Sequence, residues 1–81
     1  MGRMKILSGH GVVSIFVGFG FSVVSQKGSH IKLARVLPSG ERQVLTLPLH
    51  SELDRGTLRA LFRQASYYIP EDALIPHFFH D

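Results

Sequence analysis

Phe21-Ser22-Val23-Val24-Ser25-Gln26-Lys27-Gly28-Ser29-His30-Ile31-Lys32-Leu33-Ala34-Arg35-Val36 is the stretch from which the fold can be read. Two runs rich in β-branched and aliphatic residues, Phe21 to Gln26 and His30 to Val36, flank the tetrapeptide Lys27-Gly28-Ser29-His30. That pattern predicts two antiparallel strands joined by a tight turn, with Gly28 supplying the backbone freedom the turn needs. In the second run Ile31 and Leu33 alternate with Lys32 and Ala34, so one face of the strand is apolar and the other basic. A histidine just past such a turn has a fixed position and an open side.

Working outward, Pro38-Ser39-Gly40-Glu41 puts proline at the second turn position with glycine soon after, a second hairpin signal, and Arg42 to Pro48 reads as the third strand. Three consecutive strands make an antiparallel meander. Upstream, Ser8 is a suitable N-cap for a helix from about Gly9 to Phe19; Val12, Phe16 and Phe19 recur at helical spacing, and Gly20 suits a left-handed C-cap. Gly11 and Gly18 each weaken such a helix by roughly 1 kcal/mol relative to alanine. Packing must therefore hold it in place. Val13, Ile15 and Val17 make it apolar on more than one face, which implies a buried second side or a partner surface.

Downstream, Leu58, Leu61, Phe62 and Ala65 form an apolar stripe at i, i+3, i+4 and i+7 within Thr57 to Ala65, the clearest helix in the chain. Arg55, Arg59 and Arg63, spaced by four, line another face of it. Pro70 at a first helical position, followed by Glu71 and Asp72, begins a short last helix that Pro76 is expected to end at about Ile75. Phe78 and Phe79 then read as tail residues docking on the domain or on a partner. The order is helix, three strands, helix and a short tail helix, an α+β arrangement with the element order of double-stranded-RNA-binding domains.

With 81 residues the chain is expected to form a single domain over 1–81, large enough for one modest core. It has no cysteine, which excludes disulfides, thiol nucleophiles and Cys-ligated zinc and fits a reducing compartment. The net charge of +3 favours an anionic partner. The charge is uneven: residues 1–50 carry Arg3, Lys5, Lys27, Lys32, Arg35 and Arg42 against Glu41 alone, while the end of the chain carries Glu71, Asp72 and Asp81. The basic start followed by apolar Val12 to Val24 imitates a secretory leader, but Gly11, Ser14, Gly18 and Gly20 interrupt it, no small-x-small cleavage pattern follows, and it falls short of the roughly 20 apolar residues of a membrane span. No membrane association is expected.

His30 is the main chemical candidate. An imidazole can take or give a proton near neutrality, which is what activating a ribose 2′-hydroxyl or protonating a leaving oxygen requires, and Lys27 and Lys32 could attract or neutralise a phosphate beside it. The plainer alternative is a surface histidine or one bonded to the turn. Ser29 has no neighbouring carboxylate to complete a triad and reads as a turn hydroxyl. His50, after the third strand, reads as a structural or loop residue. His77 and His80 beside Asp81, with His10, lack any metal-site spacing, so no metal and no cofactor are expected. Gly18-Phe19-Gly20 lacks the rest of a dinucleotide-binding fingerprint.

Ser8-Gly9 opening a helix, Gly20-Phe21 closing it, Gln26-Lys27-Gly28-Ser29-His30, Leu47-Pro48-Leu49-His50, Leu53-x-x-Gly56-Thr57-Leu58-Arg59 and Arg63-Gln64-Ala65, taken in order, resemble the HicA (YcfA-like) toxins of type II toxin-antitoxin systems over roughly residues 4–75. The resemblance implies a double-stranded-RNA-binding-domain-like fold and an mRNA interferase that acts in the cytoplasm, arrests translation and is held inactive by a HicB-like antitoxin. It implies His30 as the catalytic residue, with Gly28 at the family's turn glycine and Lys27 at a commonly basic position; together with the neighbouring Ser29, Lys32 and Arg35 of this chain, Lys27 and Gly28 make up the expected RNA-binding set. The chain departs from the pattern at Gly11, Val17 and Gly18, where family members usually carry polar or charged residues. Two other readings compete: a non-catalytic RNA-binding module in which His30 only hydrogen-bonds a phosphate or base, and a protein-interaction subunit using the apolar first helix and the Arg55, Arg59 and Arg63 stripe.

Overall fold

The computed structural model describes residues 2–81; Met1, included in the expected 1–81 domain, lies outside the described residues. The elements are α1 (Gly9–Gly18), β1 (Ser22–Lys27), β2 (His30–Val36), β3 (Arg42–Pro48), α2 (Arg55–Ala65) and α3 (Glu71–Phe78). The strands form one antiparallel sheet in the order β1-β2-β3. This is an α+β fold of the double-stranded-RNA-binding-domain type, with an added C-terminal helix.

Both ends of α1 follow from local sequence. The Ser8 hydroxyl accepts the Gly11 N–H at 3.0 Å. At the other end Gly20 takes a left-handed φ of 97°, its N–H reaches Val17 O, and the Phe21 N–H reaches back to Phe16 O at 3.1 Å. That pair of bonds is a Schellman motif, and its usual apolar contact is present as the Phe16 and Phe21 rings, 6.0 Å apart. The motif compensates for a helix that its internal glycines weaken, and it aims the chain into β1.

In β2, Ile31 and Leu33 are buried with Leu45 and Leu47 of β3 under Val12 and Phe16 of α1, Leu58, Leu61 and Ala65 of α2, and Leu74 and Phe78 of α3. The helices thus cover the sheet face on which the odd-numbered residues of β2 and β3 stand. Among the described residues no helix covers the even-numbered face of those two strands, where His30, Lys32 and Thr46 are exposed.

The C-terminal helix differs from its sequence expectation. It continues through Pro76 to Phe78. Proline lacks an N–H and crowds the carbonyl four residues back, which ends most helices. Here Phe78 is fully buried, its ring 5.6 Å from Phe62 and 6.1 Å from Phe16, and the Pro76 carbonyl accepts the Lys5 ammonium at 2.9 Å. Core burial of one large ring, a contribution of about 2–3 kcal/mol, outweighs one lost helical bond. The chain then pairs with its own N-terminal segment: Met4 bridges Phe79, and the Lys5 N–H donates to Phe78 O at 2.8 Å.

Candidate active site on the open sheet face

The first hairpin has a two-residue loop, since Lys27 is paired with His30. Gly28 has φ 60° and Ser29, like every other non-glycine among the described residues, does not have a positive φ, the pattern of a type II′ turn with glycine at its first central position. The turn is tied down from the side as well, because the Leu49 N–H donates to Ser29 O at 2.6 Å. The Gln26 side chain adds a bond to the Gly28 carbonyl at 3.1 Å.

Residue pairing places the side chains. Directly opposite residues in an antiparallel ladder share a face. Lys27, His30 and Pro48 form one row across the open face; Ser25, Lys32 and Thr46 form the next; Ser22, Ala34 and Val44 the third. Arg42, paired with Val36, stands at the far end of the same face. Lys32 is two residues from His30 on one strand, about 7 Å along the sheet by strand geometry. His30, Lys27, Ser29 and Lys32 are all exposed. A proton-transfer group flanked by two ammonium groups on a solvent-facing sheet can meet an anionic ligand without displacing any part of the fold.

A slip in register at Val24, between the pairs Val23↔Leu33 and Ser25↔Lys32, is a β-bulge. It brings Ser25 and Lys27 to the open face, whereas unbroken alternation from Val23 would have turned them toward the helices. Lys27 therefore stands beside His30 because of one extra residue in β1.

Arg35 belongs elsewhere. It lies in phase with Ile31 and Leu33, on the helix-covered face, partly buried. Its guanidinium donates to Gln43 Oε1 at 2.9 Å, Phe19 O at 2.9 Å and Tyr68 O at 2.8 Å, and stacks 4.9 Å from the centre of the Phe21 ring. These bonds join the end of α1, the start of β3 and the segment after α2. Arg35 is thus engaged within the fold, apart from the group formed by His30, Lys27 and Lys32.

Two supporting features escaped the sequence reading. A Cβ on Gly9 would lie 2.5 Å from Pro48 O and 2.6 Å from the Leu49 Cα, so only glycine lets the start of α1 sit on the segment that braces the hairpin. The Gly9 N–H in turn donates to His50 O at 2.9 Å, which gives the His50 backbone its structural part. Pro48, the last residue of β3, flanks His30 across the ladder. Near the start of α2 the Thr57 N–H donates to the Asp54 carboxylate at 2.7 Å; that bond, with a smaller contribution from His50, holds the Asp54 carboxyl below its usual value. His77 packs its ring 5.4 Å from Phe19. Among the described residues no three acidic or histidine side chains gather as a metal site, and no helix is long and apolar enough to cross a membrane.

Comparison with known proteins places these features in a family. Neither the curated proteins nor the solved structures compared give a significant match. The family model described as HicA toxin of bacterial toxin-antitoxin matches residues 9–67, from the first residue of α1 to just past α2. That span contains the whole sheet, the Gly28 turn and His30, and the chain belongs to the HicA toxin family of bacterial toxin-antitoxin systems.

Proposed function

We propose that this toxin is an endoribonuclease that cleaves mRNA in the cytoplasm, with His30 as its proton-transfer group, and that a HicB-like antitoxin restrains it. The observation that supports this reading best is the helix-free sheet face, on which an exposed histidine stands in one row with Lys27 and one step from Lys32. RNA differs from DNA by the 2′-hydroxyl, and a histidine is the side chain suited to remove that proton near neutral pH. His30 takes the 2′-hydroxyl proton as the 2′-oxygen attacks the adjacent phosphorus. The bond from phosphorus to the 5′-oxygen breaks, and the departing oxygen takes a proton from solvent or a lysine. Lys27 and Lys32 offset the charge that builds on the phosphate oxygens. Gly28 and Ser29 bring the backbone of the turn close to the strand, and their exposure leaves room for it. The bonds that hold Arg35 leave it out of this contact set.

The products are a 2′,3′-cyclic phosphate and a 5′-hydroxyl, formed without a metal ion. Purified protein with a defined RNA in excess EDTA tests the chemistry: cyclic-phosphate ends are expected, whereas 5′-phosphate and 3′-hydroxyl ends, or full inhibition by EDTA, would replace this mechanism with a metal-assisted one. If His30→Ala retains cleavage, histidine chemistry is excluded; if wild type binds RNA and never cuts it, the protein is a binding module.

A further inference from the structure

On the other side of the sheet from His30, the outer face of α2 borders two adjoining depressions of ≈ 440 and ≈ 200 Å³ that share Arg59 and Phe79 as lining residues. Phe62 and Phe79 supply their apolar surface, with the two rings edge-to-face at 5.2 Å and 88°. Around them stand Arg59 and Arg63 in the larger depression and Arg3 and Arg55 in the smaller. All four arginines are exposed. Among the hydrogen bonds between described residues, none engages their guanidinium groups, in contrast to the three held by Arg35. Arg55, Arg59 and Arg63 are successive turns of one helix, so they span about 12 Å along its axis.

The groove is held in shape by the pairing of the chain's two ends. Phe79 bridges Met4, and the His80 N–H donates to Arg3 O at 2.7 Å. Arg3, Glu71 and Phe79 all lie outside residues 9–67, the span the family model matches. The groove therefore joins a helix within the matched span to segments on either side of that span.

We infer that this groove is a docking site for an acidic protein segment carrying an apolar anchor, supplied by the toxin's antitoxin partner. The inference takes its partner from the toxin identity and does not depend on RNA cleavage. Four guanidinium groups without a hydrogen-bond partner among the described residues, set around two phenyl rings, match carboxylates that flank an aliphatic or aromatic side chain, since arginine binds carboxylate in a bidentate manner and the edge-to-face rings offer apolar surface to an anchor. A protein segment fits better than an RNA strand because Glu71 lines the larger depression, with Asp72 beside it in the first turn of α3. A carboxylate there opposes a continuous phosphate chain, while separate acidic side chains can be spaced around it. The site also lies apart from the open sheet face, so an antitoxin segment could grip the toxin here whatever part of the partner meets His30.

Fluorescence anisotropy with a short labelled peptide of Glu, Asp, Leu and Phe, its Gln and Asn counterpart, and a labelled single-stranded RNA tests the inference. The RNA arm uses His30→Ala protein so that cleavage cannot intrude. The acidic peptide should bind, its neutral counterpart should not, and the double variant Arg59→Glu with Arg63→Glu should weaken binding by about tenfold or more. Lys32→Glu with Arg42→Glu on the sheet should leave peptide binding unchanged. Amide shifts on the folded wild-type protein give a readout free of any folding defect: peptide should move Arg59, Arg63, Ser66 and Phe79 more than residues 27–32. No peptide binding, equal loss in groove and sheet variants, or shifts centred on the hairpin would overturn the proposal. RNA affinity that falls with the groove variants and not with the sheet variants would assign the groove to RNA instead. None of these results bears on whether wild type cuts RNA, so the docking site and the nuclease reading fail separately.

Discussion

Lys32 and Arg35 are cations three residues apart on one strand, and they end on opposite faces of the sheet. Arg35 is partly buried, with three hydrogen bonds and a ring beneath it. Lys32 is exposed beside Ser25 and Thr46. One charge serves the fold and the other is free for a ligand. Strand parity decides which is which, so a basic strand cannot be treated as a uniformly basic surface.

Removing Arg35 should be the most damaging change to stability. Arg35→Ala leaves two backbone carbonyls and the Gln43 side chain without their charged donor, and loss of about 3 kcal/mol is expected from chemical denaturation. A loss below about 0.5 kcal/mol, the range of ordinary surface changes, would mean that the two faces do not differ as described. Gly9→Ala comes next. Its Cβ meets backbone atoms that cannot rotate away, so about 1–3 kcal/mol should be lost, and increased hydrogen exchange at Leu49, whose N–H is bonded to Ser29, would show that the hairpin brace has loosened.

Lys32→Ala should do the reverse of Arg35→Ala. Its stability should change by less than about 0.5 kcal/mol, while RNA binding weakens and the slope of log affinity against log salt falls by about 1. An unchanged salt slope would remove Lys32 from the contact surface. The smallest effect concerns Asp54. Its carboxyl titrates below the ordinary aspartate value of 3.8 in the folded chain, chiefly through the Thr57 N–H, so its contribution to stability is present above that value and is lost as pH falls through the lower folded value. Asp54→Asn should flatten the fall in melting temperature below pH 3.8 and leave the neutral-pH slope unaltered.

Local signals carried much of this architecture. The Gly28 turn, the Ser8 cap, Gly20 after α1 and the Leu58, Leu61 and Ala65 stripe each act within a few residues, and each was legible for that reason. The face of Arg35 is also readable in principle, since it is in phase with Ile31 and Leu33, but grouping the strand's cations by charge alone sets it with the lysines. The bulge at Val24 could not be read from alternation, because it depends on how β1 meets β2. The continuation of α3 through Pro76 and the need for glycine at position 9 both rest on contacts between segments distant in sequence: Phe78 with Phe16, and α1 with the Pro48 carbonyl.

The central claim, that the open sheet face breaks RNA through His30, is tested most directly by inducing wild type and His30→Ala in parallel and following growth and total RNA. Wild type should arrest growth and fragment mRNA, and His30→Ala, folded to the same melting temperature, should do neither, with cleavage down by about 10²-fold or more. Continued growth with intact RNA on wild-type expression, or equal cleavage by the two proteins, would contradict the claim.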